Sequence, residues 1–372
     1  MSATDTPALF TPMRIRSVEI RNRLWVAPMC QYSVDAEDGV PTDWHLVHLG
    51  GLARGGAGLV FAEATAVSPE GRISAEDTGL YSDEQQAAWT RIVDFIHAQG
   101  AAAGIQLAHS GRKGSMFREW GPHGGTTRPQ DAGGWQTVAP SAIPFEGYAP
   151  PVALDEAGIQ RVIDDYAASA ARAVEAGFDV IEVHAAHGYL LHEFLSPLSN
   201  TRTDAWGGSL EHRAAIVVRI VEEVRRVIGE DRALFVRFSA TDWAPADAGP
   251  SWEPDQMATV AQWLADAGAD LFDVSSGGML AHAVIPVEPG YQVRFAEDLR
   301  AATGMPVSAV GLITTAQQAS DVIEEGRADA VMMGRKLMRE PHYPRLAALE
   351  LGVETDAWPK AYARSLAPLA RW

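Results

Sequence analysis

The sequence predicts a (β/α)8 TIM barrel, an α/β fold carried by one domain over residues 1–372. Three observations predict it. Eight short apolar segments recur along the chain, and a helical pattern follows each. Most of these segments are continuous runs of Val, Ile, Leu, Ala and Phe, the pattern of parallel strands covered on both faces. A doubly wound sheet would carry a Gly-rich dinucleotide turn after an early strand, but Gly55-Gly56-Ala57-Gly58 precedes a strand instead.

Each element follows in order. Residues 13–15 and 18–20 flank Arg16-Ser17 as a small N-terminal hairpin lid that closes the barrel floor. Barrel strands are expected at 23–28, 58–67, 102–109, 179–187, 233–240, 271–277, 306–311 and 330–334. Amphipathic helices are expected at 82–99, 154–176, 209–228, 254–267 and 314–325, several finishing at a glycine such as Gly100 or Gly177. Long loops follow the third and fourth strands, at 111–151 and 188–208, on the face where barrels place active sites.

Composition narrows the function classes. A net charge of −18 with pI near 5.0 disfavours nucleic acid and anionic lipid. One cysteine, Cys30, excludes an internal disulfide and an iron–sulfur cluster. Residues 1–12 show no basic n-region with an apolar core, and no apolar run approaches a membrane span, so a cytoplasmic protein is expected.

The most informative stretch is His184-Ala185-Ala186-His187-Gly188-Tyr189, directly after the apolar run 179–183. Two imidazoles can hold a carbonyl oxygen while the phenol supplies a proton. A satisfied core His pair and half a zinc site are the other readings of the same residues. Arg237 stands inside an apolar strand and must be paired or meet a ligand, with Glu182 as a candidate protein partner. Gln106 offers a donor and an acceptor from another apolar strand. Gly311 with Thr314 opening a helix, and Gly334-Arg335 one strand later, suit the phosphate site that barrels build after strands 7 and 8. A planar ligand with amide-like edges and a phosphate tail would satisfy Gln106, Arg237, Gly311 and Arg335 together, and FMN has that shape.

These residues carry a resemblance. The chain resembles the Old Yellow Enzyme family of FMN-dependent ene-reductases, and within it the thermophilic-like and xenobiotic reductase subgroup. It does so through Pro28-Met29-Cys30-Gln31-Tyr32, Gln106 to Lys113, His184 to Tyr189, His192 to Pro197, Asn200 to Asp204 and Gly207-Gly208-Ser209. The resemblance implies that Pro28, Met29, Cys30, Ala64, Gln106 and Arg237 surround the isoalloxazine ring, and that Gly311, Gly334 and Arg335 take the phosphate. It implies that His184 and His187 anchor a substrate carbonyl, Tyr189 donates the proton, and Tyr32 and Lys113 line the pocket. NADPH or NADH would be the reductant of the FMN, and α,β-unsaturated carbonyl compounds the substrates. A C-terminal tail, about 353–372, would contact a partner subunit in a homodimer or homotetramer, with Arg371 reaching the neighbouring active site. The 119–137 segment departs from the compact members, which bears on substrate range.

Two other functions fit parts of the pattern. A metal-dependent barrel hydrolase would use His184, His187 and His192 with a strand-end acid. A non-catalytic FMN-binding barrel would hold flavin without turnover. His45 and His48, three apart on a helix, are assigned to packing or the surface, and no metal is expected.

Overall fold

The computed structural model describes residues 6–354 and 358–366. Eight parallel strands close the barrel: β3 (Leu24–Val26), β4 (Leu59–Ala66), β5 (Ala102–Ala108), β8 (Val180–Ala185), β9 (Ala233–Ser239), β10 (Leu271–Ser275), β11 (Val307–Ala309) and β12 (Ala330–Met333). Apolar runs become strands here because helices cover the sheet outside and side chains fill it inside. The inner filling is aromatic at its centre, with Trp25 and Phe61 packed against Phe235 at ring separations of 5.8 and 6.0 Å.

The N-terminal hairpin, β1 (Met13–Ile15) with β2 (Val18–Ile20), is antiparallel. Arg16 at its turn binds Glu230 and Asp270, just ahead of β9 and β10, which fixes the hairpin at the N-terminal ends of the strands. The opposite end is left open for chemistry.

Five helices fall where the sequence places them: α2 (Asp83–Ala98), α3 (Glu156–Glu175), α5 (Leu210–Ile228), α6 (Pro254–Asp266) and α8 (Ala316–Glu324). An earlier helix, α1 (Asp43–Arg54), is capped by Thr42 with His45 completing the box. The two long loops hold more structure than expected. The first contains β6 (Val138–Ala139), paired in parallel with β7 (Val152–Ala153) just past its end, both too short to show any period. The second contains α4 (Leu190–Leu195), whose six residues are all buried, so no amphipathic stripe marks it.

Strand β4 carries a register shift between Ala62 and Ala64. The irregularity sets Ala64 opposite Gln106 on β5 and frees Glu63 to accept from the Gln31 N–H at 2.7 Å. Glu63 also meets His45 at 3.2 Å, so His45 is a buried structural group.

Candidate active site

The turn after β8 brings His184, His187 and Tyr189 together. The His184 ring lies 5.2 Å from the rings of both His187 and Tyr189, at near-perpendicular angles. The backbone makes this turn by leaving the ordinary regions: φ is +60° at His187 and +73° at Gly188. A Cβ on Gly188 would sit 2.1 Å from the Gly278 carbonyl oxygen, and one on Gly278 would sit 2.5 Å from the His187 backbone. The loops after β8 and β10 therefore meet backbone to backbone, which only glycine allows.

Three side chains hold the turn. The Lys113 ammonium donates to the His187 carbonyl at 2.8 Å and the Gly278 carbonyl at 3.0 Å. Ser239 accepts from the His187 N–H at 2.9 Å and donates to the Gly277 carbonyl at 2.7 Å. His192, fully buried, accepts from the Gly188 N–H through Nδ1 at 3.0 Å, while its Nε2 lies 3.0 Å from Asp242.

These contacts decide what the histidines can offer. Nδ1 of His184 accepts from the Ala186 N–H at 3.2 Å, so the neutral ring carries its proton on Nε2. His187 meets the Ser275 hydroxyl through Nε2 at 2.8 Å; where Ser275 donates to it the ring's N–H is at Nδ1, and where Ser275 donates to Gln292 instead, at 3.4 Å, the N–H is at Nε2. Burial, reinforced by the positive charge of Arg237, holds both imidazoles well below their ordinary pKa. Two neutral rings result, with the N–H of His184 at Nε2. Burial also pushes the Tyr189 phenol well above 10, so it keeps its proton. The Lys113 ammonium stands 5.0 Å from the Tyr189 ring centroid, and burial lowers its own pKa to about 8.

Beneath this cluster lies a polar layer. Gln106 donates from Nε2 to Glu182 at 2.7 Å, which leaves its carbonyl oxygen as an acceptor. Arg237 pairs through Nε with Asp273 at 3.0 Å, directly opposite on β10. The expected partner Glu182 makes no ion pair with Arg237 and bonds Gln106 instead. Among the described residues no acceptor takes the Nη atoms of Arg237 or the guanidinium of Arg335.

Toward β11 and β12 a cavity of about 160 Å³ is lined by Gly311, Leu312, Ile313, Thr314, Gly334 and Arg335, among others. Thr314 does not open the helix as expected. Thr315 is the cap of α8, and the Thr314 N–H is taken by Gln318 at 3.0 Å. Met29 reaches this rim: a Cβ on Gly334 would lie 3.3 Å from its sulfur. Pro28, Met29 and Cys30 follow β3, and Ala64 flanks Gln106. Burial and the charges of Asp77 and Glu63 push the Cys30 thiol up, while its bond to the Tyr32 side chain opposes them. Tyr32 itself sits at φ +52°.

The residues present suit a flavin phosphate. Gln106 and Arg237 offer an acceptor and donors to a ring edge, and the free Arg335 guanidinium faces a glycine-lined cavity.

Comparison with known proteins decides the family. The NADH:flavin oxidoreductase / NADH oxidase family matches residues 8–353. The chain belongs to this family. It is 44% identical over 358 residues to an NADPH dehydrogenase of Listeria monocytogenes serotype 4a (strain HCC23), covering 96% of this chain and 98% of that protein. Its fold matches morphinone reductase in complex with tetrahydroNAD (TM-score 0.76, 29% identity, 94% of this chain and 92% of that one). It equally matches the Old Yellow Enzyme homologue from Zymomonas mobilis (TM-score 0.76, 29% identity, 95% and 96%). The chain is thus an oxidoreductase of the Old Yellow Enzyme family, built on a (β/α)8 barrel.

Against that family the structure locates the expected residues unevenly. His184, His187 and Tyr189 share one cluster, Gln106 and Arg237 one layer, and Gly311, Gly334 and Arg335 one cavity wall. Lys113 spends two donors on backbone carbonyls, so it braces the pocket wall. His192 is committed to Gly188 and Asp242, which removes it from a metal set with His184 and His187. Among the described residues no helix is long and apolar enough to cross a membrane. Residues 358–366 fold back on the barrel, with Trp358 under Arg345 and Tyr362 near Arg54. Arg371 lies outside the described residues.

Sequence reasoning missed Asp273, Ser239, Ser275 and Asp242. Asp273 had the same signal as Arg237, a charge inside the apolar run Leu271-Phe272-Asp273-Val274. The two serines had none.

Proposed function

We propose that this family member, an NAD(P)H-dependent FMN oxidoreductase, reduces the activated C=C bond of α,β-unsaturated carbonyl compounds such as enones, enals and maleimides, and of nitroalkenes. One observation carries the reading: two histidines held neutral beside a phenol held protonated, above a layer that fits a flavin edge. Bound FMN would take hydride from the nicotinamide and pass it to the substrate β-carbon.

The protein residues supply the rest. Nε2–H of His184 and, with Ser275 donating to the other ring nitrogen, Nδ1–H of His187 donate to the carbonyl oxygen and stabilise the negative charge that moves there. Tyr189 then protonates the α-carbon. Gln106 and Arg237 orient the ring edge, and Pro28, Met29, Cys30 and Ala64 flank it. Gly311, Gly334 and Arg335 hold the phosphate. Tyr32 and Lys113 bound the substrate pocket. Trp120, bonded to the Gln31 carbonyl at 3.1 Å, roofs a cavity of about 730 Å³ that includes Cys30, Trp44 and Met338. Trp120 is the one residue of the 119–137 loop that lines this cavity, on the Cys30 side of the site. Tetrahydro-NAD bound to the morphinone reductase neighbour supports a nicotinamide visiting the same face.

The test is Tyr189→Phe, which keeps the ring and removes the proton. Flavin reduction by NAD(P)H should proceed at the wild-type rate, while enone reduction slows by roughly 10²–10⁴-fold, the usual contribution of one general acid. Nitroalkenes, which need little assisted protonation, should lose less. Wild-type rates in both half-reactions would remove Tyr189 from the proton step.

A further inference from the structure

The layer beneath the histidines holds one cation and two carboxylates, and the reaction above uses only part of it. Glu182 on β8 is fully buried. Its Oε1 accepts from Gln106 on β5, and its Oε2 has no hydrogen-bond partner. Asp273 on β10 is also fully buried, 3.0 Å from Arg237 Nε and 3.0 Å from the Ser308 hydroxyl of β11. The centre of the barrel filling is the Trp25–Phe61–Phe235 cluster, which offers no charge.

One guanidinium cannot sustain two buried anions in such a place, so one carboxyl must keep a proton. Asp273 has the cation at contact distance. Glu182 has only a neutral amide and no cation in contact, so the proton belongs there. The charged groups acting on Glu182 are Asp273 from β10 and Arg237 from β9, while β5 presents only the uncharged Gln106. Burial and Asp273 drive its carboxyl up to about 8, against the pull of Arg237.

We propose that Glu182 is a redox-linked proton site: in alkaline solution, where it gives up the proton it keeps at rest, it takes one back from solvent when the bound FMN gains negative charge and releases it when that charge leaves. This rests on the placement of the cofactor over Gln106 and Arg237 proposed above. Two electrons and one proton reach the cofactor from NAD(P)H. One further proton moves from solvent to Glu182, and no substrate bond changes in that step. Glu182 is a positioning residue, since it acts on the ring edge through the Gln106 amide that it orients. Negative charge gained above the layer weakens the field that Arg237 exerts on Glu182, which favours its protonated form.

The test is the midpoint potential of FMN in the holoenzyme between pH 6 and 10, for wild type, Glu182→Gln and Arg237→Lys. Each proton taken up with two electrons changes the equilibrium constant tenfold per pH unit, or about 30 mV. The wild-type slope should steepen above about pH 8, from about 30 toward about 59 mV per pH unit. Glu182→Gln should stay near the shallower slope throughout. A reduced-minus-oxidised infrared spectrum of wild type should gain a protonated-carboxyl band in the same pH range. Equal slopes in wild type and Glu182→Gln overturn the inference. If the variant fails to fold, absence of the carboxyl band in wild type overturns it equally. The cofactor placement fails separately: it is wrong if Arg237→Lys leaves the potential unchanged.

Discussion

Replacing Lys113 by Met tests whether the lysine holds the turn or the substrate. The side chain keeps its length, but the His187 and Gly278 carbonyls lose their donors at 2.8 and 3.0 Å. Two charge-assisted bonds contribute roughly 3–6 kcal/mol together. Against that, the lowering of the ammonium from 10.5 to about 8 corresponds to about 3.4 kcal/mol of unfavourable burial at 1.36 kcal/mol per unit. The net global effect is therefore small, about 1 kcal/mol lost, or roughly 1 °C in Tm for a chain this size. The local effect is larger, because His187 and Tyr189 share the turn. Enone reduction should slow about 30-fold, at 1.4 kcal/mol per decade, with FMN content and flavin reduction unchanged. The pH dependence adds a signature. Between about pH 8 and 10.5 the unfolded chain binds the lysine proton and the folded chain does not, so wild-type stability rises with pH in that window. The variant lacks the increment, and the stability gap widens as pH rises. Rapid-reaction kinetics of the two half-reactions and denaturant titrations at pH 7.5 and 10 check both. A raised KM with wild-type kcat and wild-type Tm would mean that Lys113 touches substrate and not the turn.

One further outcome follows from the same geometry, and another from the family resemblance of the C-terminal tail. His184 and His187 titrate well below 6.5, so kcat/KM for the enone half-reaction should show no acid limb near pH 6.5; a limb there would mean that the pair is charged in the free enzyme. Deleting residues 369–372, which lie outside the described residues, should weaken substrate binding and loosen the oligomer while FMN stays bound. Wild-type mass in sedimentation together with wild-type KM would refute a site shared through Arg371.

The barrel was legible because each strand is a run of apolar residues, and the site was legible because its members break those runs. Arg237 and Gln106 stand out in β9 and β5 for that reason, and His184 ends the apolar run of β8. What the runs do not carry is register. Asp273 meets Arg237 because β10 lies beside β9 with those two positions paired, whereas Glu182 pairs with Phe235. Only the closed sheet decides between the two acids. The bracing contacts of Lys113, a residue expected to line the pocket, were not legible for a similar reason: its acceptors are backbone carbonyls, which every residue has, on loops 74 and 165 positions away. Glu63 needed the shift in β4, and such irregularities leave no trace in a continuous apolar run.

On the proposed mechanism, the placement of Arg237 links the two halves of the reaction through one charge. The guanidinium lowers the pKa of both histidines, and it is the group available to support negative charge on the cofactor. When that charge is present, the field on the histidines weakens and their basicity rises. On the proposed mechanism the two rings then meet a substrate oxygen as neutral N–H donors that keep their protons as that oxygen becomes negative, leaving protonation to Tyr189. With the charge of Arg237 uncompensated, the same N–H groups are the stronger donors. One charge therefore sets the donor strength at both stages, with no movement of the backbone required.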